Sequence, residues 1–224
     1  TTEIYTLSLH DALPIYNECH SVAMYRLQDY ACNRYKIGKE EFEKGFNSAR
    51  QEVKSLLGNT GAAHNRMLYM QIFLEKIKRN PVEGALELYD VYWNAMLEQM
   101  KPFPYVITLM KWLKQNNISI GILTDLTAHI QHRKIKILGI ESYIDAIVTS
   151  EEVGAEKPSL RAFNRIKVKL QCDENEILML GDSKSKDIDG AVRAGMHAIF
   201  FTLEDADGMR EKVMEYINDQ MDEK

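Results

Sequence analysis

The chain is expected to fold as an α/β protein, with a parallel Rossmann-like sheet as its core and a helical cap domain beside it. Two observations predict this. From residue 106 onward, short apolar runs alternate with segments of helical periodicity, and such alternation builds parallel strands covered by helices on both faces. Between residues 17 and 99 the sequence shows helical spacing and no run that reads as a strand. At 224 residues and 45% hydrophobic composition, there is enough chain to bury one full core and a smaller accessory one.

In the helical part, Leu27, Tyr30, Ala31 and Tyr35 recur at helical spacing, as do Met67, Met70, Ile72, Phe73 and Ile77. Asn80, Pro81 and Glu83 supply an N-cap, a proline at the first helical position and a capping-box acid. The helix they start carries Leu86, Tyr89, Trp93 and Met96. Pro102 and Pro104 then mark a hinge between two bodies. Beyond it, strands are predicted at 118–123, 146–148, 177–180 and 198–201, separated by helices near 106–115, 128–138, 159–170 and 188–194. Gly139 and Gly195 fall where helix C-caps belong. The expected division is a helical domain over 16–101 and an α/β core over 102–224, with 1–15 standing in place of the first core strand.

Charge and cysteine usage narrow the function. Lys and Arg number 28 against 33 Asp and Glu, a net charge of −5 with the charges interspersed, so a nucleic-acid partner is not expected. Cys19, Cys32 and Cys172 are an odd number without metal-ligand spacing, which fits reduced thiols in the cytoplasm. Lys111 and Lys114 break an apolar run, as charges do elsewhere, so no segment reaches the roughly 20 residues that span a bilayer. No basic n-region of a signal peptide opens the sequence. A monomer or homodimer is expected.

The chemistry-bearing residues lie at the ends of predicted strands. Thr124 and Asp125 follow one strand and precede a helix, where a hydroxyl and backbone N–H groups can hold an anion, or where Thr124 can simply cap the helix. Lys157 precedes Pro158 and reads equally as a surface lysine. Gly181-Asp182-Ser183 with Asp187 is more specific: one carboxylate at a strand end and another about a turn later can face a single hard cation. In open α/β sheets ligands bind beyond the carboxyl ends of the strands, so these groups should converge on one crevice suited to phosphate and magnesium. His64-Asn65-Arg66 follows a glycine-rich turn and opens a helix. Arg66 and His64 can project toward the mouth of the crevice and clamp an anionic substrate, or form an ordinary polar first turn. His20, His129, His132 and His197 form no close ligand set, and Trp93 and Trp112 read as core.

Taken in order, Ile122-Leu123-Thr124-Asp125, Glu156-Lys157-Pro158 and Gly181-Asp182-Ser183-Lys184-Ser185-Lys186-Asp187-Ile188 resemble the haloacid dehalogenase superfamily, in particular its phosphatases with a helical cap. The resemblance covers nearly everything after Tyr16. It implies magnesium-dependent hydrolysis of a phosphate monoester of a small metabolite through a phospho-aspartate intermediate. Thr124 would hold the phosphoryl group, Lys157 would neutralise charge, and Asp182 with Asp187 would bind Mg2+. In such enzymes the first strand ends in Asp-x-Asp, whose carboxylates act as nucleophile and as acid and base. Dehalogenase or phosphomutase chemistry and a catalytically silent binding protein are the alternatives.

The first motif departs from that family. Aligning its tyrosine on Tyr16 puts His10 at the nucleophile and Ala12 at the acid/base position, and neither can perform the role. Asp11 lies one position off, which in a strand is the opposite face. The run from Tyr5 to Ile15 looks like a translated sequencing adapter fused where the first strand and motif should be. The expectation is a damaged copy of a competent phosphatase, the alternative a genuine pseudoenzyme.

Overall fold

A computed structural model describes residues 4–7, 16–201 and 208–222. His10, Asp11 and Ala12 therefore lie outside the described residues. The chain divides into two compact units, Ile15–Met100 and the remainder, Thr1–Pro14 with Lys101–Lys224.

The first unit is helical throughout: α1 (Tyr16–Tyr35), α2 (Lys39–Leu57), α3 (Arg66–Lys76) and α4 (Pro81–Glu98), with a 3-10 turn at Gly61–His64. Asn65 and Asn80 cap α3 and α4, each side chain accepting from a backbone N–H two residues on, Met67 and Val82, at 3.0 Å. The core joins Leu27 and Ala31 to Phe42, Phe46, Phe73, Leu88, Tyr92 and Trp93, all buried. Phe42 stacks on Phe46 at 5.5 Å and meets Phe73 edge-on at 5.2 Å. Leu86 departs from its expected place and is 60% exposed. The buried stripe of α4 instead runs through Ala85, Leu88, Tyr89, Tyr92 and Met96, and one residue of phase turns a helical side chain about 100° away. Gly84 has a specific cause, because a Cβ there would lie 2.3 Å from the Tyr35 hydroxyl.

The second unit is an α/β sandwich. Its strands β1 (Ile4–Leu7), β2 (Ser119–Thr124), β3 (Ala146–Thr149), β4 (Ile177–Gly181) and β5 (His197–Phe200) form one parallel sheet of order β3-β2-β1-β4-β5. Its helices are α5 (Pro104–Gln115), α6 (Ala128–Leu138), α7 (Ser150–Val153), α8 (Leu160–Leu170), α9 (Asp189–Arg193) and α10 (Met209–Asp222). Ile4–Leu7 occupies the central strand position, pairing with β2 on one side and β4 on the other. On one face Leu123, Val148 and Met179 pack with Phe163 and Ile166 of α8. Gly121 lets that helix approach, since a Cβ would stand 2.9 Å from Leu170. The alternate residues Ile120, Ile122, Leu178 and Leu180 point the other way and are buried as well, as a doubly covered parallel sheet requires.

This order fixes the place of a site. The chain steps outward through β2 and β3 on one side of β1, then through β4 and β5 on the other. The reversal opens a crevice beyond the carboxyl ends of β1 and β4.

Candidate functional site

Among the described residues, three of the connections at the carboxyl edge of the sheet carry the candidate residues: β2 to α6, β3 through α7 to α8, and β4 to α9. They bring Thr124, Asp125, Lys157 and Asp187 into one network.

Thr124 ends β2 and is buried. Gln131, fully buried on α6, donates from its amide nitrogen to Thr124 Oγ1 at 2.6 Å and to the Asp125 carbonyl at 2.5 Å. The carbonyl contact fixes the amide orientation, because its oxygen cannot face another oxygen. Thr124 Oγ1 thus accepts from Gln131 and keeps its own proton to donate, here to the Asp125 carbonyl at 3.1 Å.

Lys157 is no surface lysine: its side chain is 5% exposed. Its ammonium lies 2.6 Å from Asp187 Oδ1 and donates to the Leu123 carbonyl at 3.2 Å. Its backbone N–H donates to Asp125 Oδ1 at 3.0 Å. Asp125 Oδ2 pairs with Lys186, so both oxygens of that carboxylate are engaged.

After β4 the chain makes a π-helical turn over Lys184–Ile188 before α9, which lies within the helix expected near 188–194. Ser183 is the cause. Its carbonyl accepts from Asp187 N at 2.8 Å and Ile188 N at 3.3 Å, and its hydroxyl accepts from Lys186 N at 3.3 Å. The widened turn returns the Asp187 carboxylate to the strand end, where Oδ2 accepts from the Ser183 N–H at 3.0 Å. Gly181 makes room: a Cβ would fall 2.1 Å from Asp187 Cβ and 2.7 Å from its carboxyl carbon. Asp182, exposed at the rim, has its pKa raised by partial desolvation and then by the Asp187 charge, partly offset by Lys157.

Asp187, with its hard carboxylate oxygens and the Gly181 cradle, suits a small divalent cation, and the Asp187 charge reaches Asp182 at the end of the same strand. Magnesium typically takes one or two protein carboxylates and keeps its waters. Among the described residues no third His, Cys, Asp or Glu joins them into a larger ligand group.

His64 and Arg66 belong to the helical unit. The Arg66 guanidinium stands 5.2 Å from the Trp93 ring centre and 5.3 Å from that of Tyr92, and donates to the His64 carbonyl at 3.1 Å. His20 bonds the Tyr92 hydroxyl at 2.8 Å, while His129, His132 and His197 are exposed. Gln131 and Lys186 escaped the sequence reading. Gln131 carried a signal, since it shares the apolar stripe of α6 with Ile135 and Leu138. Lys186 carried none, because its partners come from two other loops.

A family model described as haloacid dehalogenase-like hydrolase matches residues 29–201. The chain is 37% identical over 168 residues to the ribulose-1,5-bisphosphate 5-phosphatase of Halopiger xanaduensis, covering 75% of this chain and 70% of that one. It is 31% identical over 163 residues to the glyceraldehyde 3-phosphate phosphatase of Methanothermobacter thermautotrophicus, covering 73% and 70%. A 2-haloacid dehalogenase structure from Pseudomonas syringae pv. Tomato DC3000 shares the fold, with a TM-score of 0.73 at 22% identity over 90% of this chain and 86% of that one. Because the family match takes in all three loops and most of the sheet, this chain belongs to the haloacid dehalogenase-like hydrolases.

Proposed function

We propose that this fold hydrolyses phosphate monoesters of small metabolites with magnesium, and that the chain as it stands lacks the carboxylate needed to do so. The observation that carries the reading is the buried Lys157–Asp187 pair, on the same network of loops as a Thr124 hydroxyl that Gln131 holds in a donating role, its proton now on the Asp125 carbonyl. Phosphoryl transfer depends mainly on positioning and on neutralising charge over the phosphoryl oxygens.

In this reading Thr124 donates to a phosphoryl oxygen, and Asp125 takes part through its backbone because its carboxylate is engaged. Lys157 balances charge on the nucleophile and on the transferring group. Asp182 and Asp187 would hold Mg2+, which when bound would supply positive charge to neutralise the phosphoryl group. The attacking carboxylate would form a phospho-aspartate from the position aligned with His10, with the acid/base group at the position aligned with Ala12.

The names of the two curated relatives point to phosphorylated sugars as the substrate class. The helical unit would act as the cap, with Arg66 and His64 clamping the anionic substrate, in a cytoplasmic monomer or homodimer. His10 and Ala12 favour one rival, a catalytically silent binding protein. Replacing residues 1–15 with a family-like strand ending in Asp-x-Asp-x-Thr, then assaying a panel of phosphorylated sugars with magnesium, separates the two. Turnover supports the phosphatase reading, and a folded, magnesium-binding chain that cleaves no ester refutes it.

A further inference from the structure

Each loop that carries Thr124, Lys157 or Asp187 also carries a charged residue next to it in sequence: Asp125, Glu156 and Lys186. These three neighbours meet. The Lys186 ammonium lies 3.1 Å from Asp125 Oδ2 and 3.0 Å from Glu156 Oε2. The other Asp125 oxygen accepts the Lys157 backbone N–H at 3.0 Å. One ammonium thus ties the loop after β4 to the loop after β2 and to the chain entering α8, and Asp125 ties those last two to each other.

We infer that Lys186 is a positioning residue, a clasp that holds the three loops so that Thr124, Lys157 and Asp187 stay aligned. The loops need one, because connecting segments are the least constrained parts of a fold while a working site tolerates misplacement of only about 0.5 Å. An ammonium has three donors and can serve both carboxylates at once. The Glu156 side chain is only 7% exposed, so the contact is more than a solvated surface pair: without Lys186 a buried carboxylate would lose its cation and face a second carboxylate. The consequence for phosphate rests on the proposed phosphatase site, whereas the clasp itself is a property of the fold.

Amide hydrogen exchange on the full 224-residue chain tests it. Lys186→Met should speed exchange of the Lys157 and Ser183 amides together, by about tenfold or more, since each reports a bond made within the clasped loops. Lys186→Arg should restore protection. If Lys186→Met folds poorly, pairing it with Glu156→Gln removes the stranded charge and should still show both fast amides. Faster exchange confined to Ser183, or no change at either amide, overturns the clasp. Calorimetric titration of the same proteins with inorganic phosphate separates this from the function: about tenfold weaker binding in Lys186→Met, recovered in Lys186→Arg, supports both. A parent chain that ignores phosphate while the exchange pattern appears sinks the phosphatase reading and leaves the clasp standing.

Discussion

Lys157 and Asp187 sit 2.6 Å apart with 5% and 1% of their side chains exposed, so removing either leaves a buried charge without its partner. Breaking such a pair typically costs about 3–5 kcal/mol, out of a total stability of about 5–15 kcal/mol. Lys157→Met is therefore expected to lower the unfolding free energy by about 3 kcal/mol in urea denaturation, and adding Asp187→Asn should recover part of it. A loss under about 1 kcal/mol would show that the pair behaves as a solvated one. Gly181→Ala probes the same carboxylate from the other side. The added methyl must displace Asp187, so stability should fall by about 1–3 kcal/mol and magnesium should bind more weakly. Unchanged magnesium affinity in calorimetry would remove Asp187 from the proposed ligand set. In the sequence Lys157 read equally as a surface residue, because its burial comes from Leu123, 34 positions earlier, and from Asp187 on a third loop. Such convergence leaves no local pattern.

At the scale of elements, periodicity carried most of the fold. The helix expected at 128–138 is α6, ended by Gly139 at a left-handed φ of 66°. The four predicted strands lie within about a residue of β2 to β5. The failures share a cause: the π-turn before α9 is set by Ser183 bonding, and α10 carries a weak polar-rich pattern, so neither announces itself by hydrophobic spacing. The helical unit offers a pH test. Burial, then the charges of Arg66 and Arg50, lower the His20 pKa from 6.5 to about 4. As pH falls below 6.5 the unfolded chain takes up this proton first, so the stability His20 gives above 6.5 is lost progressively down to about pH 4. Thermal unfolding of the parent should decline across that window more steeply than that of His20→Gln. Parallel curves would mean that His20 does not couple to folding.

For the whole molecule, alternation of strands and helices was enough to name the architecture, and among the residues singled out at strand ends the fold joins Thr124, Asp125, Lys157 and Asp187 in one network. What stayed hidden was the support around them. Gln131 and Lys186 act through side chains that meet only once the loops have folded. The β1 segment is the reverse case. Its first residues take the central strand position, so a sequence read as foreign still supplies a strand, while His10 and Ala12 supply neither carboxylate. A phosphatase framework without its nucleophile makes a sharp prediction for one paired assay. Hydrolysis of a generic aryl phosphate with magnesium should be negligible for this chain and higher by several orders of magnitude once residues 1–15 are replaced by a strand ending in Asp-x-Asp-x-Thr. Turnover of roughly 10 per second in the unaltered chain would show that it keeps a working nucleophile, and a folded replacement that stays inactive would show that the framework is not a phosphatase's.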